Sequence, residues 1–121
     1  MIVIIVAILL FVLGQGQQYY NHQSSSVHNA TWMSYLNDGI PIKELSIVGS
    51  HSTMSQGTWG DAFQTQASSL TNQMMMGIRA LDIRCRHYYD SFTIHDRLIY
   101  LNVNLQDVLN TVRSFLQSYP S

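Results

Sequence analysis

Residues 77–86 read Gly77-Ile78-Arg79-Ala80-Leu81-Asp82-Ile83-Arg84-Cys85-Arg86. From Arg79 onward the stretch alternates, with Ala80, Asp82, Arg84 and Arg86 on one side and Leu81, Ile83 and Cys85 on the other, which is the period of a β-strand. The polar side holds three of the chain's thirteen formal charges, six Lys plus Arg and seven Asp plus Glu. Asp82 and Arg84 are two apart on that side, so they can aim a carboxylate and a guanidinium into one pocket. A solvated in-strand ion pair is the other reading, and the pattern leaves both open. Cys85 is the single cysteine, has no internal disulfide partner, and is expected as a buried, inert thiol.

Upstream, Ala67 to Met76 predicts a helix with Leu70, Met74 and Met75 on one face and Gly77 as its stop. Leu45 to Val48 predicts a short strand stopped by Gly49, and Ser50 to Gly60 has the composition of a loop. Trp32 to Leu36 suits one helical turn, closed by Asn37-Asp38-Gly39. Downstream, a turn at Tyr89-Asp90-Ser91 leads into a strand from Phe92 to His95. The last element is a helix opened by Asn104 with Asp107 at N3. It carries Val108, Leu109, Val112, Phe115 and Leu116 on one face and stops at Pro120.

The chain has 121 residues and a formal charge of −1, so bulk attraction to nucleic acid or another polyanion is disfavoured. Charged residues are 11% against 46% hydrophobic, well under the roughly 25% charged content of ordinary domains. The imbalance has a location: no Lys, Arg, Asp or Glu precedes Asp38, and Met1 to Leu13 is uninterruptedly apolar. A membrane span needs ~20 residues, so residues 1–18 are expected to be a cleaved signal peptide of a secreted protein. An uncleaved anchor or a buried strand is the alternative, because the start lacks Lys and Arg. Residues 19–30 read as a flexible lead-in containing the sequon Asn29-Ala30-Thr31, a glycosylation acceptor in a secretory lumen. Residues 31–121 then form the one domain that about 100 residues allow. No CxxC, HExxH or ligand-spaced cluster occurs, so neither metal nor cofactor is expected.

Two histidines close apolar segments: His51 in Val48-Gly49-Ser50-His51-Ser52-Thr53, and His95 before Asp96 and Arg97. Two imidazoles near an arginine suit phosphodiester cleavage. One ring takes a proton from the attacking hydroxyl, the other gives one to the leaving oxygen, and a guanidinium grips the phosphoryl oxygens. Either histidine alone is more often an ordinary hydrogen-bonded surface or core side chain than a catalyst.

Trp32-Met33, the run Leu45 to Thr53, Gln73 through Arg86, Thr93-Ile94-His95, and Leu105 to Leu109 through Phe115-Leu116 to Pro120 together resemble the X domain of phosphatidylinositol-specific phospholipase C, in its bacterial-like single-domain form. The resemblance implies an α/β fold, the N-terminal portion of a distorted TIM barrel of which this chain holds only the first strands and helices. It implies that His51 is the general base for the inositol hydroxyl and His95 the general acid for the diacylglycerol oxygen. Arg84 would hold the phosphate in place of calcium, and Asp82 would orient His95. Two departures stand out. Relatives carry Asp or Asn where this chain has Ser52, beside the phosphate and the arginine, so Arg84 is expected to lack that carboxylate pair. Relatives carry Gly where this chain has Asp96. The implied substrate is a phosphoinositide or glycosylphosphatidylinositol-type lipid met at a peripheral membrane surface, with no nucleic acid partner and the oligomeric state open. A non-catalytic lipid head-group binder is the alternative that Ser52 and Asp96 motivate. A glycerophosphodiesterase or nuclease is disfavoured, since such barrels use carboxylate-bound metal and a basic surface is lacking. The resemblance also predicts that His51, Asp82, Arg84 and His95 converge at the ends of neighbouring parallel strands.

Overall fold

The protein's structure, a computed structural model, describes residues 27–56 and 64–120. The expected signal peptide, the lead-in up to residue 26 and part of the Ser50–Gly60 loop lie outside the described residues. In chain order the described elements are β1 (Gly49–Ser50), α1 (Leu70–Met75), β2 (Ala80–Leu81), β3 (Cys85–Tyr88), β4 (Ser91–Asp96), β5 (Ile99–Asn104) and α2 (Leu105–Ser118). Single 3-10 turns at Trp32–Tyr35 and Ile42–Glu44 precede them. β1 runs parallel to β2, with Gly49 opposite Ala80 and Ser50 opposite Leu81, while β3, β4 and β5 form an antiparallel meander in that order. Among the described residues no helix is long and apolar enough to cross a membrane.

The first strand is displaced from Leu45–Val48 to Gly49–Ser50. Pairing begins only at the Val48 carbonyl, which accepts from the Arg79 and Ala80 amides at 3.0 and 3.2 Å. Gly49 does not stop the strand but permits it. A Cβ at that position would lie 3.0 Å from the Ala80 Cβ, so a side chain would hold the two backbones apart.

The continuous strand expected from Arg79 to Arg86 is two strands. β2 ends at Leu81 because the Asp82 amide turns to the Ser50 carbonyl (3.3 Å) and the Thr53 Oγ1 (2.9 Å), and the Thr53 amide bonds the Asp82 carbonyl (3.1 Å). From Cys85 the chain takes β4 as its partner instead. Cys85 is therefore exposed, not buried. The strand from Phe92 is likewise not a third parallel strand. It returns antiparallel to β3 through a tight turn at Tyr89 and Asp90, with Tyr89 in the left-handed region at φ 50°.

The two helices follow their local signals. α1 starts at Leu70, three residues later than expected, because the Ser69 side chain caps the Asn72 amide at 3.3 Å. It ends at Gly77, whose φ of 109° suits glycine and whose carbonyl accepts from Trp32 Nε1 at 2.8 Å. α2 opens with a capping box in which the Asn104 amide donates to Asp107 Oδ2 at 2.9 Å. Val108 and Phe115 enter the core with Leu70, Met74, Ile94 and Leu101, whereas Leu109 and Leu116 are half exposed. Arg79 links the helices: its guanidinium lies 4.9 Å over the Phe115 ring and donates to the carbonyls of Met74 and Ile78, at 2.8 and 2.9 Å, and of Ala30. Burial pushes its pKa below the ordinary arginine value.

Candidate active site

Ser50, His51 and Ser52 leave the end of β1, and Asp82 leaves the end of β2 beside them. Ser52 is buried with φ 44°, and this left-handed step turns its amide onto Asp82 Oδ2 at 2.9 Å. Thr53 is 1% exposed; its Oγ1 accepts from the Asp82 amide and donates to the Ser50 carbonyl at 3.1 Å. Gln73, also 1% exposed, reaches from α1 to donate to the Thr53 carbonyl at 2.9 Å. The strand ends are thus tied by side chains as well as by the ladder. Neither Thr53 nor Gln73 was assigned a site role from the sequence. Gln73 was detectable as a polar residue on the apolar face of α1 between Leu70 and Met74.

Asp82 is the hub. It accepts from Arg84 Nη2 at 2.8 Å and from Arg84 Nε at 3.1 Å, and its Oδ2 lies 3.3 Å from His51 Nδ1. The Arg84 hydrogen bonds, and next the Ser52 amide, hold the Asp82 carboxyl below the usual carboxylate range, while Asp82 raises Arg84 above its ordinary value. A carboxylate only accepts, so a hydrogen bond from His51 to Asp82 requires the proton on Nδ1 and leaves the lone pair on Nε2. Arg84 Nη2 lies 3.3 and 3.4 Å from the two ring nitrogens, so the guanidinium rests against the imidazole. An imidazole with a free ring nitrogen and a guanidinium therefore sit side by side, and both face solvent, with side chains 69% and 40% exposed.

The structure brings together His51, Ser52, Asp82 and Arg84 of the residues singled out from the sequence; His95 also lines the small space beside Ser52, Asp82 and Arg84, and its amide donates to the Arg84 carbonyl at 2.9 Å. The His95 ring bonds Thr93 Oγ1 at 3.1 Å and packs 5.5 Å from Tyr100, its cross-strand partner. Alternation along β4 sends Ile94 and Asp96 the other way, where both are buried. Asp96 Oδ1 then lies 3.4 Å from Arg84 Nη1 and accepts from Ser52 Oγ at 3.4 Å. One expectation is corrected here: the side-chain partners of Asp82 are Arg84 and His51, and the His95 ring bonds Thr93 instead. The carboxylate missing at Ser52 is also present after all, supplied by Asp96. A space of about 10 Å³ remains among Ser52, Asp82, Arg84, His95 and Asp96, roughly one water. A phosphate would have to meet the open side of Arg84. Arg84 is itself the cation between the two carboxylates; among the described residues no three His, Cys, Asp or Glu side chains gather as a metal-ligand set. Asn29, the sequon residue, lies exposed at the surface and its amide donates to the Met75 carbonyl at 2.9 Å.

Residues 39–121 match the family described as phosphatidylinositol-specific phospholipase C, X domain. A 1-phosphatidylinositol phosphodiesterase of Listeria monocytogenes is 37% identical over 120 residues, covering 91% of this chain and 37% of that protein. One from Staphylococcus aureus is 30% identical over 123 residues, covering 93% of this chain and 37% of that protein. A solved phosphatidylinositol-specific phospholipase C from S. aureus, described in connection with its membrane binding, superposes with a TM-score of 0.70 at 32% identity, over 77% of this chain and 32% of that one. The L. monocytogenes enzyme structure superposes with a TM-score of 0.65 at 38% identity, over 78% and 35%. The chain spans little more than a third of the length of these relatives.

Proposed function

Because this chain belongs to the phosphatidylinositol-specific phospholipase C X-domain family, and is an α/β part of that family's barrel-like fold, we propose that the whole protein cleaves a phosphatidylinositol-type phosphodiester at a membrane surface. His51 takes the proton from the inositol hydroxyl next to the phosphorus, through Nε2. Of the five N–H donors of Arg84, two bond Asp82, one bonds Asp96 and one lies against the His51 ring, so a bidentate grip on the phosphoryl oxygens uses the remaining Nη1 N–H and the Nη2 N–H that His51 releases on taking the proton. Asp82 sets both groups and stabilises the imidazolium that forms. As the adjacent ring hydroxyl oxygen, the nearest nucleophile, bonds the phosphorus, the bond to the diacylglycerol oxygen breaks. That oxygen takes a proton from a general acid, the role read for His95, giving a cyclic inositol phosphate and diacylglycerol. The observation that carries this reading is the contact of His51 with Arg84, both held by Asp82. Export behind a signal peptide at 1–18, glycan on Asn29 and peripheral membrane contact belong to the same proposal.

The experiment is turnover of phosphatidylinositol vesicles by the full-length protein in excess chelator. Diacylglycerol release should persist, His51→Ala should reduce it by about 10²-fold or more, and Arg84→Lys should be severe because a point charge cannot make the two-pronged contact. A second reading, a head-group binder without turnover, is favoured by one observation: Asp96 occupies the β4 position facing Arg84, and the His95 ring faces away. Vesicle binding abolished by Arg84→Lys, with no product formed, would establish that reading instead.

A further inference from the structure

We propose that Asp96 is a positioning residue for Arg84, holding the outer edge of the guanidinium from the end of β4 while Asp82 holds the inner edge. The inference rests on the reading of Arg84 as the phosphate grip. Arg84 lies in the irregular stretch between β2 and β3, so its backbone alone does not fix a side chain of this length. Asp82 contacts Nε and Nη2, leaving rotation about the long stem opposed on one edge only. Asp96 supplies the second point through Nη1 at 3.4 Å.

Asp96 is well placed to do this. Its side chain is 10% exposed, and a carboxylate so shielded requires polar partners. Its Oδ1 has two, Arg84 Nη1 and the hydroxyl of buried Ser52. Its backbone pairs with Ile99 across the turn that follows, where Arg97 adopts φ 55°, so the carboxylate projects from a closed hairpin end. Positions 52 and 96 thus share one polar spot beside Arg84, one holding a hydroxyl and the other a carboxylate. The remaining space of about 10 Å³ does not admit a second carboxylate. A carboxylate at 52 would also be the third anion around a single guanidinium. Aspartate tolerates the left-handed backbone of position 52 better than most residues, so the conflict is one of charge and room rather than of backbone.

The test is an exchange in the full-length protein: Ser52→Asp alone, Asp96→Ser alone, and the two together, which conserves composition. With phosphatidylinositol vesicles, each single change is expected to lower kcat by about 10- to 100-fold, the scale of a displaced reacting group, and the exchange to return it to within about threefold of the parent. A purely structural role for Asp96 would not be rescued from position 52. An exchange variant no better than Asp96→Ser, or a Ser52→Asp variant more active than the parent, overturns the proposal. Should Asp96→Ser not fold, the exchange against Ser52→Asp alone decides by the same criterion. Should the parent show no turnover, the cleavage reading fails separately. The same variants are then compared by the Arg84 Nε–H resonance in ¹⁵N NMR during titration with inorganic phosphate. A signal lost in Asp96→Ser and restored in the exchange supports positioning; a signal alike in all variants refutes it.

Discussion

Replacing Gly49 by Ala puts a methyl group where β1 and β2 approach most closely. Its carbon would lie 3.0 Å from the Ala80 Cβ and 3.2 Å from the Ala80 carbonyl oxygen. Carbon atoms settle about 3.5–4.0 Å apart, so the strands must separate by roughly 0.5–1 Å. Neither neighbour can rotate away, one being a methyl fixed to its backbone and the other the backbone itself. The Asp82 amide to Ser50 carbonyl bond, already 3.3 Å, would not survive that movement. His51 follows β1 and Asp82 follows β2, so the same separation opens their 3.3 Å contact. Overpacking of this kind costs about 1–3 kcal/mol, and a reacting group moved by about 1 Å loses about 10²-fold in rate. Gly49→Ala should therefore lower the urea midpoint at unchanged slope and reduce vesicle turnover by about 10- to 100-fold. Adding Ala80→Gly removes the nearer neighbour and should recover part of both losses. A Gly49→Ala protein with the parent's midpoint and the parent's turnover would refute the claim that β1–β2 contact sets the site.

Three further outcomes are expected. Asp82 has its pKa lowered on folding, mainly by Arg84, so it adds stability at pH values above its unfolded pKa that is lost as pH falls through the lower folded value. Partial exposure moderates the effect, and Asp82→Asn should flatten the acid limb of a stability-against-pH curve measured by urea unfolding. Ile94, 1% exposed beside Asp96, anchors β4 to the core; Ile94→Ala should cost about 2–5 kcal/mol by the same method. Protein exported from a eukaryotic host should begin after about residue 14 to 18 and carry glycan on Asn29, as read by amino-terminal sequencing and by glycosidase treatment. An intact Met1 on exported material would contradict the cleaved leader.

Elements closed by near neighbours in the chain were legible from residues alone. Asn104 with Asp107 opens α2, Gly77 closes α1, and Tyr89-Asp90 turns β3 into β4, because each signal acts within one to four residues. The His51 turn after β1 and the shared face of Asp82 and Arg84 were legible for the same reason. The break after Leu81 was not, since the alternation from Arg79 to Arg86 continues through it. What ends β2 is Asp82 bonding to Ser50 and Thr53, some thirty residues away. Cys85 is exposed for that reason too, being handed from a half-buried run to a hairpin. The second histidine shows the boundary most sharply. The sequence by itself determines that His95 and Asp96 point to opposite faces, because side chains in a strand alternate. Which of the two meets Arg84 depends on how β4 pairs with its neighbours, and a shift of one residue in that register exchanges the faces. Tertiary pairing of His95 with Tyr100 and of Cys85 with Ile94 made the choice, turning Asp96 to Arg84 on one face and the half-buried imidazole to Thr93 on the other.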